Sequence, residues 1–131
     1  MVAGGIDERF ISRANDPNES ELHSLLWPAI GRDEDQPMFV ISQKTLTGHS
    51  KAGAALFQTG GIIDVFRTHR IPANVSLDCV DPLIAPKAPN LVWLRSPLDL
   101  GSAGHSVKAA ALTSLGFGHV SALIVYACLL Y

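Results

Sequence analysis

The feature that most constrains the fold is the stretch 50–69, which combines helical spacing with many small side chains. The small residues are Ala52, Gly53, Ala54, Ala55, Gly60 and Gly61. Glycine inside a helix costs about 0.5–1 kcal/mol relative to alanine, so close packing must offset that cost. Leu56, Ile63 and Phe66 supply bulk, and Pro72 stops the helix. The pattern therefore predicts a long, central, buried helix.

Short apolar runs on both sides of this helix predict strands. Residues 38–42 and 91–94 are apolar runs bounded by polar or turn residues. Residues 107–114 and 120–129 are two further runs joined by a glycine-containing turn, which favours an antiparallel pair. Strand, long helix and more strands indicate an α/β fold, with a mixed sheet and a buried central helix.

The N-terminal part differs in charge from the rest of the chain. Residues 1–36 carry a net charge of −5 and residues 37–131 a net charge of +3, within 131 residues that suit one domain. We therefore expect an acidic N-terminal segment, 1–36, around one short surface helix, followed by a main subdomain, 37–131. The apolar positions of that helix are Leu22, Leu25, Leu26 and Ile30. The segments 71–89 and 97–106, rich in turn residues, are predicted loops.

Composition excludes several classes of protein. Hydrophobic residues make up 47% and charged residues 17% of the chain, which is too apolar for a disordered protein. A net charge of −2 gives no general attraction to nucleic acid or to an anionic membrane. The longest apolar run, 120–131, is shorter than the roughly 20 residues that a membrane-spanning helix needs. With two widely spaced cysteines and no basic, apolar leader, we expect a cytoplasmic location.

The segment Lys44–His49 is the first candidate for chemistry. His49 follows a glycine and precedes the long helix, so it feels the positive end of the helix dipole. That position favours a neutral imidazole whose N–H can donate to a developing oxyanion, and Lys44 adds positive field. The alternative is a helix-capping histidine beside a solvated lysine. Spacing alone leaves both interpretations open.

The second candidate is the turn Gly116-Phe117-Gly118. Two glycines around an aromatic residue allow the close backbone approach that an oxyanion-hole loop needs. The alternative is a tight turn in which Phe117 fills the core. Elsewhere, Cys79 lies between Asp78 and Asp81, whose charges disfavour the thiolate, so we expect an inert buried thiol. The sequence has no zinc-ligand spacing.

These segments together resemble the C-terminal part of the β-ketoacyl synthase domain of bacterial type I fatty acid synthase. The stretch 41–55 is similar to the family's lysine–glycine–histidine motif and the helix that follows it. The other matching segments are 14–19, the loop 71–81 and the closing glycine–phenylalanine–glycine turn in 113–121. The similarity runs from about residue 14 to residue 125, and its order and spacing argue against chance agreement.

The resemblance implies the C-terminal half of a thiolase-like fold and decarboxylative Claisen condensation of acyl and malonyl thioesters. Carried over by position, His49 is the second enolate-stabilising histidine and Lys44 is the motif lysine. Phe117 matches the gating phenylalanine, whose N–H helps to form the oxyanion hole, with Gly116 and Gly118 on either side. The resemblance implies no metal and no directly bound cofactor. The implied substrates are phosphopantetheine thioesters on acyl carrier protein.

Two parts of the family's active site have no counterpart in this sequence. The nucleophilic cysteine belongs to the family's N-terminal half, and neither Cys79 nor Cys128 lies in its motif. The first histidine is expected just before residue 14, but residues 7–13 contain none. We therefore expect a truncated ketosynthase that is inactive alone, because loss of a nucleophile removes most of the chemistry.

The expected partners are acyl carrier protein and either the remaining half of a ketosynthase or a second copy, with no nucleic acid and no membrane. The alternative function is a non-catalytic binding or assembly module for a carrier protein or a full-length ketosynthase. An isolated half-fold exposes apolar surface and strand edges, which promotes association. A degraded gene product without a selected role is a third interpretation.

Overall fold

A computed structural model of the chain shows a mixed α/β fold. It describes residues 2–3, 15–29, 31–33, 36–82, 84–87, 89–115 and 121–129. The helices are α1 (Asn15–Ala29), α2 (Lys44–Thr47) and α3 (Ala54–Thr68). The strands are β1 (Val2–Ala3), β2 (Met38–Ile41), β3 (Arg70–Ile71), β4 (Leu91–Trp93), β5 (Leu98–Asp99), β6 (Ala109–Leu115) and β7 (Ser121–Ala127). The predicted fold class, an α/β layer with a mixed sheet, is confirmed at this level.

The main sheet has five strands in the order β4-β2-β1-β6-β7. Neighbouring strands are parallel except β6 and β7, which are antiparallel from Ala109 opposite Ala127 to Leu115 opposite Ser121. The predicted antiparallel pair near the C-terminus is therefore confirmed. The central strand β1 was not predicted, because two residues show no periodicity. The division of the chain at residue 36 stays a prediction.

Side chains of β2 and β6 alternate between two apolar clusters, as expected when both faces of a sheet are covered. One cluster joins the sheet to α3 and consists of Ile41, Ile62, Val65, Ile71, Val107, Ala110 and Leu112. The other consists of Met38, Val40, Leu91 and Ala111. Adjacent residues of β2, Val40 and Ile41, thus lie in different clusters, which fixes the register of the strand.

The long helix begins later than predicted and only one of its faces is buried. A 3-10 turn, Lys51–Gly53, precedes α3, and His69 ends it with a left-handed φ of 53°. Gln58, Ile62 and Val65 are buried, whereas Leu56 is 77% exposed and Ile63 is also exposed. The prediction of a buried central helix is therefore wrong for the outer face. That face is apolar, but no described element of this chain covers it.

The predicted N-terminal helix is confirmed as α1, but one of its faces is buried, although the sequence predicts a helix at the surface. Leu22 and Leu25 are exposed, whereas Glu19, Ser20 and His23 are buried. Glu19 and His23 are one helical turn apart, and Glu19 accepts a hydrogen bond from Thr113 of β6. This polar contact with the sheet sets the rotation of the helix.

The predicted loops contain short ordered pieces. Within them, β3 pairs with β5 in an antiparallel two-stranded sheet, and a 3-10 turn spans Ala85–Lys87. The segment 97–106 is therefore not entirely loop. Within the described ranges, no helix combines the length and the apolar character that crossing a bilayer requires.

Candidate functional site

The segment that carries Lys44 and His49 leaves the carboxyl end of β2 and enters α3. Ser42 and Gln43 form a turn, and the short helix α2 follows. Gly48 ends α2 with a φ of 69°, and its N–H donates to the Lys44 carbonyl at 2.9 Å. No atom outside its neighbours lies within 4 Å of a Cβ built on Gly48. The left-handed backbone, not lack of space, therefore makes glycine suitable there.

The imidazole of His49 is oriented by the backbone immediately after it. Its Nδ1 atom accepts a hydrogen bond from the Lys51 N–H at 3.1 Å. A ring nitrogen that accepts in this way carries no proton, so in the neutral ring the proton is assigned to Nε2. The Nε2–H is then free of this contact, and His49 itself is exposed.

This one hydrogen bond relates the two interpretations of His49 to each other. Lys51 is the first residue of the 3-10 turn before α3, so the imidazole contacts a helix N-terminal N–H as a capping group does. The same contact selects the tautomer that can donate to an oxyanion through Nε2. A capping role and a donor role are therefore compatible. The catalytic role of His49 stays a prediction.

Lys44 is half-buried, and its charge acts on a cluster beneath α1. Burial alone raises the pKa of the Glu19 carboxyl. Contact with His23, the Thr113 hydroxyl and the charge of Lys44 outweigh burial, so the pKa lies below its ordinary value. Glu19 Oε1 accepts from Thr113 Oγ1 at 2.5 Å and lies 3.7 Å from His23 Nε2. The structure thus places a buried carboxylate within the field of the motif lysine.

Sequence reasoning missed this cluster. His23 belongs to the helix that the sequence predicts at the surface, but the residue is 2% exposed, so that interpretation is wrong for His23. The i, i+4 spacing of Glu19 and His23 was visible, but a pair of polar side chains at this spacing usually lies on a solvated helix face. Only the long-range contact with Thr113 shows that it is buried.

Asn74 is a second supporting residue that the sequence did not single out. Its side-chain Nδ2 donates to the Val40 carbonyl at 3.0 Å and to the Leu94 carbonyl at 3.2 Å. Its Oδ1 accepts from the Ser42 N–H at 2.6 Å. The amide therefore joins the ends of β2 and β4 at the point where the chain turns towards Lys44.

The other predicted oxyanion elements cannot be related to His49 by geometry. Gly116, Phe117 and Gly118, together with His119, lie outside the described residues. The strands on either side are described, and Leu115 stands opposite Ser121 at the end of the hairpin. The roles of Gly116, Phe117 and Gly118 therefore stay predictions.

The remaining candidates contribute less to a site. Cys79 is exposed, so the prediction of a buried thiol is wrong, because the loop after β3 leaves it at the surface. In the described ranges, no group of three His, Cys, Asp or Glu side chains is placed to hold a metal ion. A cavity of about 420 Å³ lies beside α3 and β3, with Gln43, Gly61 and Arg70 in its wall. Its described wall includes neither Lys44 nor His49.

The comparison with family models gives one match. The family "Beta-ketoacyl synthase, C-terminal domain" matches residues 12–78, just over half of the chain. The matched range includes the Glu19–His23 pair, the Lys44–His49 segment, all of α3 and Asn74. Gly116–Gly118 lies beyond it.

Fungal proteins are among the relatives. The fatty acid synthase alpha subunit hexA of Dothistroma septosporum is 36% identical over 114 residues, which is 87% of this chain and 6% of the relative. The fatty acid synthase subunit alpha of Candida albicans is 36% identical over 112 residues, which is 86% of this chain and 6% of the relative. The chain thus spans a small fraction of these relatives. The resemblance to a bacterial synthase in particular gains no support, since these relatives are fungal. From the family match and these identities, the chain belongs to the β-ketoacyl synthase C-terminal domain family.

Proposed function

We propose that this chain is the C-terminal ketosynthase part of a fatty acid synthase and forms half of a thiolase-like fold. The five-stranded mixed sheet with α3 packed against it supports this proposal. The fungal alpha-subunit relatives also support it. The reaction is decarboxylative Claisen condensation between an acyl thioester and a malonyl thioester, both delivered on acyl carrier protein through phosphopantetheine.

The observation that carries this proposal is the hydrogen bond from the Lys51 N–H to His49 Nδ1. When the malonyl group loses carbon dioxide, the electron pair of the broken C–C bond forms an enolate with negative charge on the thioester oxygen. The Nε2–H of His49 donates to that oxygen, and Lys44 adds positive field. The enolate carbon then attacks the acyl thioester carbonyl, and the thiolate of the acylated cysteine leaves. This chain supplies the donor, and a ketosynthase N-terminal half supplies the cysteine.

The experiment is reconstitution of condensation from two polypeptides. Acyl- and malonyl-carrier protein are incubated with the chain alone and with the chain plus a ketosynthase N-terminal half that contains the nucleophilic cysteine. We expect no turnover by the chain alone and turnover by the pair. In the pair, His49→Ala lowers kcat by about 100-fold or more, since removal of one oxyanion donor typically has that effect.

The matched control is His105→Ala, because His105 is an exposed loop histidine outside the segment that carries Lys44 and His49. It leaves the rate unchanged. Turnover by the chain alone contradicts the expected inactivity, and an unchanged rate in His49→Ala contradicts the assigned role. Salt-sensitive binding of carrier protein by the pair without turnover supports the second candidate, an assembly module. The exposed apolar residues of α3, Leu56 and Ile63 among them, favour that candidate.

A further inference from the structure

The side chain of Gln43 connects the Lys44–His49 segment to α3. Its Nε2 atom donates a hydrogen bond of 2.6 Å to the carbonyl oxygen of Phe57, one turn before Gly61. The backbone carbonyl of Gln43 accepts from the N–H groups of Leu46 and Thr47 at 2.9 and 3.1 Å. One residue therefore contacts α3 through its side chain and starts α2 through its backbone.

Gly61 provides the space that this side chain occupies. A Cβ built on Gly61 lies 2.5 Å from Gln43 Oε1 and 2.9 Å from Cδ, closer than real Cβ contacts allow. The neighbouring Gly60 has no such contact within 4 Å. Both glycines weaken the helix by propensity, but only Gly61 has a packing reason to be glycine. The end of a glutamine side chain is flexible, so an added methyl group displaces the amide rather than the backbone.

A series of hydrogen bonds leads from Gln43 to Gly48, the residue before His49. The Gly48 N–H donates to the Lys44 carbonyl at 2.9 Å, and Thr47 Oγ1 lies 3.2 Å from the Gly48 carbonyl and 3.3 Å from that of Gln43. His49 follows directly and accepts from Lys51. Loss of the Gln43 contact with α3 therefore frees the turn from which this series starts.

We propose that Gln43, seated on Gly61 and bonded to the Phe57 carbonyl, is a positioning residue that fixes the imidazole of His49 in its hydrogen-bonded orientation. We call this arrangement the Gln43 tether. It acts through the backbone of the segment and touches no reacting atom. Its meaning for catalysis rests on the proposed function, but its effect on His49 is measurable without any reaction.

The test compares four variants of the full chain by nuclear magnetic resonance. They are Gly61→Ala, Gly60→Ala, Gln43→Ala and the double variant Gly61→Ala/Gln43→Ala. Two quantities are measured: the ¹⁵N shifts of the two His49 ring nitrogens, which report the tautomer, and the exchange rate of the Lys51 amide. Thermal unfolding of each variant is followed as well, because it separates a loss of folding from a loss of positioning.

We expect Gly61→Ala to raise exchange of the Lys51 amide by about tenfold and to mix the His49 tautomers, because the tether's hydrogen bond is lost. Gln43→Ala gives the same change, and the double variant gives no more than Gln43→Ala alone, since both substitutions remove one contact. Gly60→Ala, which makes the same chemical change in open space, leaves both quantities as in the unchanged chain.

Three results overturn the proposal. The first is a Gly61→Ala chain with unchanged ring-nitrogen shifts and Lys51 exchange, even if its melting temperature falls. The second is an equal effect of Gly60→Ala, which identifies helix propensity as the cause. The third is a double variant whose effect is the sum of the two single effects. Failure of the condensation reaction leaves all of these measurements intact, so the tether and the proposed function fail separately.

Discussion

The Asn74 amide and the His23 imidazole are both almost completely buried, at 5% and 2% exposure, but their hydrogen bonding differs. Asn74 uses both its donor and its acceptor, with partners on Val40, Leu94 and Ser42. Neither ring nitrogen of His23 has a hydrogen-bond partner in the part of the chain that the structure describes. Its nearest polar neighbour, Glu19 Oε1, lies 3.7 Å away, an ion-pair distance.

Both groups act on the Lys44–His49 segment or its start, Asn74 through Ser42 and the Glu19–His23 pair through Lys44, but in different ways. A fully hydrogen-bonded amide fixes the strand ends at any pH, because it does not titrate. A cluster built on a carboxylate depends on pH, because the pKa of Glu19 is lowered in the folded chain. We therefore expect the Asn74 contact to be strong and insensitive to pH, and the Glu19–His23 contact to be weaker and sensitive to it.

The largest effect is expected for Asn74→Ala. The variant leaves the Ser42 N–H and the Val40 carbonyl without their present side-chain partner in a buried place. We expect a loss of about 2–4 kcal/mol in the free energy of unfolding, similar at pH 5 and pH 8. Urea denaturation measures it. Asn90→Ala, which removes the acceptor of the Ser24 hydroxyl, is the matched control and costs less. An equal loss of unfolding free energy in the two variants would contradict the larger contribution expected from the Asn74 hydrogen bonds.

A smaller and pH-dependent effect is expected for Thr113→Val, which keeps the shape but removes the donor to Glu19. We expect a loss of about 2 kcal/mol at pH 7, typical of a hydrogen bond to a charged group. The pKa of Glu19 is lowered in the folded chain. Its stabilisation is therefore present above the ordinary value of 4.5 and disappears as the pH falls through the lowered folded pKa.

Urea titrations of Thr113→Val and of the unchanged chain between pH 7 and acid pH provide the measurement. The difference between them shrinks towards low pH, because protonated Glu19 no longer gains from the lost donor. Thr59→Val is the control, since the Thr59 hydroxyl bonds to the Ala55 carbonyl and to the Tyr126 hydroxyl, neither of them a carboxylate. A difference that is constant with pH rules out Glu19 as the origin of the effect.

The smallest effect is expected for His23→Leu at pH 8. The two ring nitrogens of His23 have no hydrogen-bond partner among the described residues, and an apolar side chain of similar volume fits a buried place. We expect a change of less than about 1 kcal/mol in the free energy of unfolding, because loss of the contact with Glu19 offsets the gain from removing two nitrogens without a partner. A loss above about 2 kcal/mol by urea denaturation shows instead that the imidazole is bonded in solution. The comparison with Asn74 then no longer holds.

Much of the α/β architecture was predictable, because most of its elements have local sequence signals. The strand Met38–Ile41, the helix ending near His69 and the antiparallel pair at the C-terminus follow from apolar runs, Pro72 and a glycine-containing turn. The strands Val2–Ala3 and Leu98–Asp99 could not be predicted in this way, because a strand of two residues is too short to show an alternating pattern. Their pairing depends on partners far away in sequence.

The motif residues of the candidate site were predictable from the sequence, but the buried residues that contact this segment were not. Lys44 and His49 stand out because lysine, glycine and histidine occur together before a helix. Glu19 and Asn74 were missed, because each becomes informative only through a contact that spans 94 or 34 residues along the chain. The buried face of α1 was not predicted for the same reason. Leucines recur there at helical spacing, but the buried face carries a carboxylate whose partner lies on β6.

The backbone of Lys51, next to His49, is in an unfavourable conformation. Its φ of 51° is left-handed, a backbone state that a residue with a side chain adopts at a cost of roughly 1–2 kcal/mol. The same residue donates its N–H to His49 Nδ1, so a return of Lys51 to a negative φ would also change the direction of that donor. The orientation of the imidazole is therefore coupled to one unfavourable backbone angle.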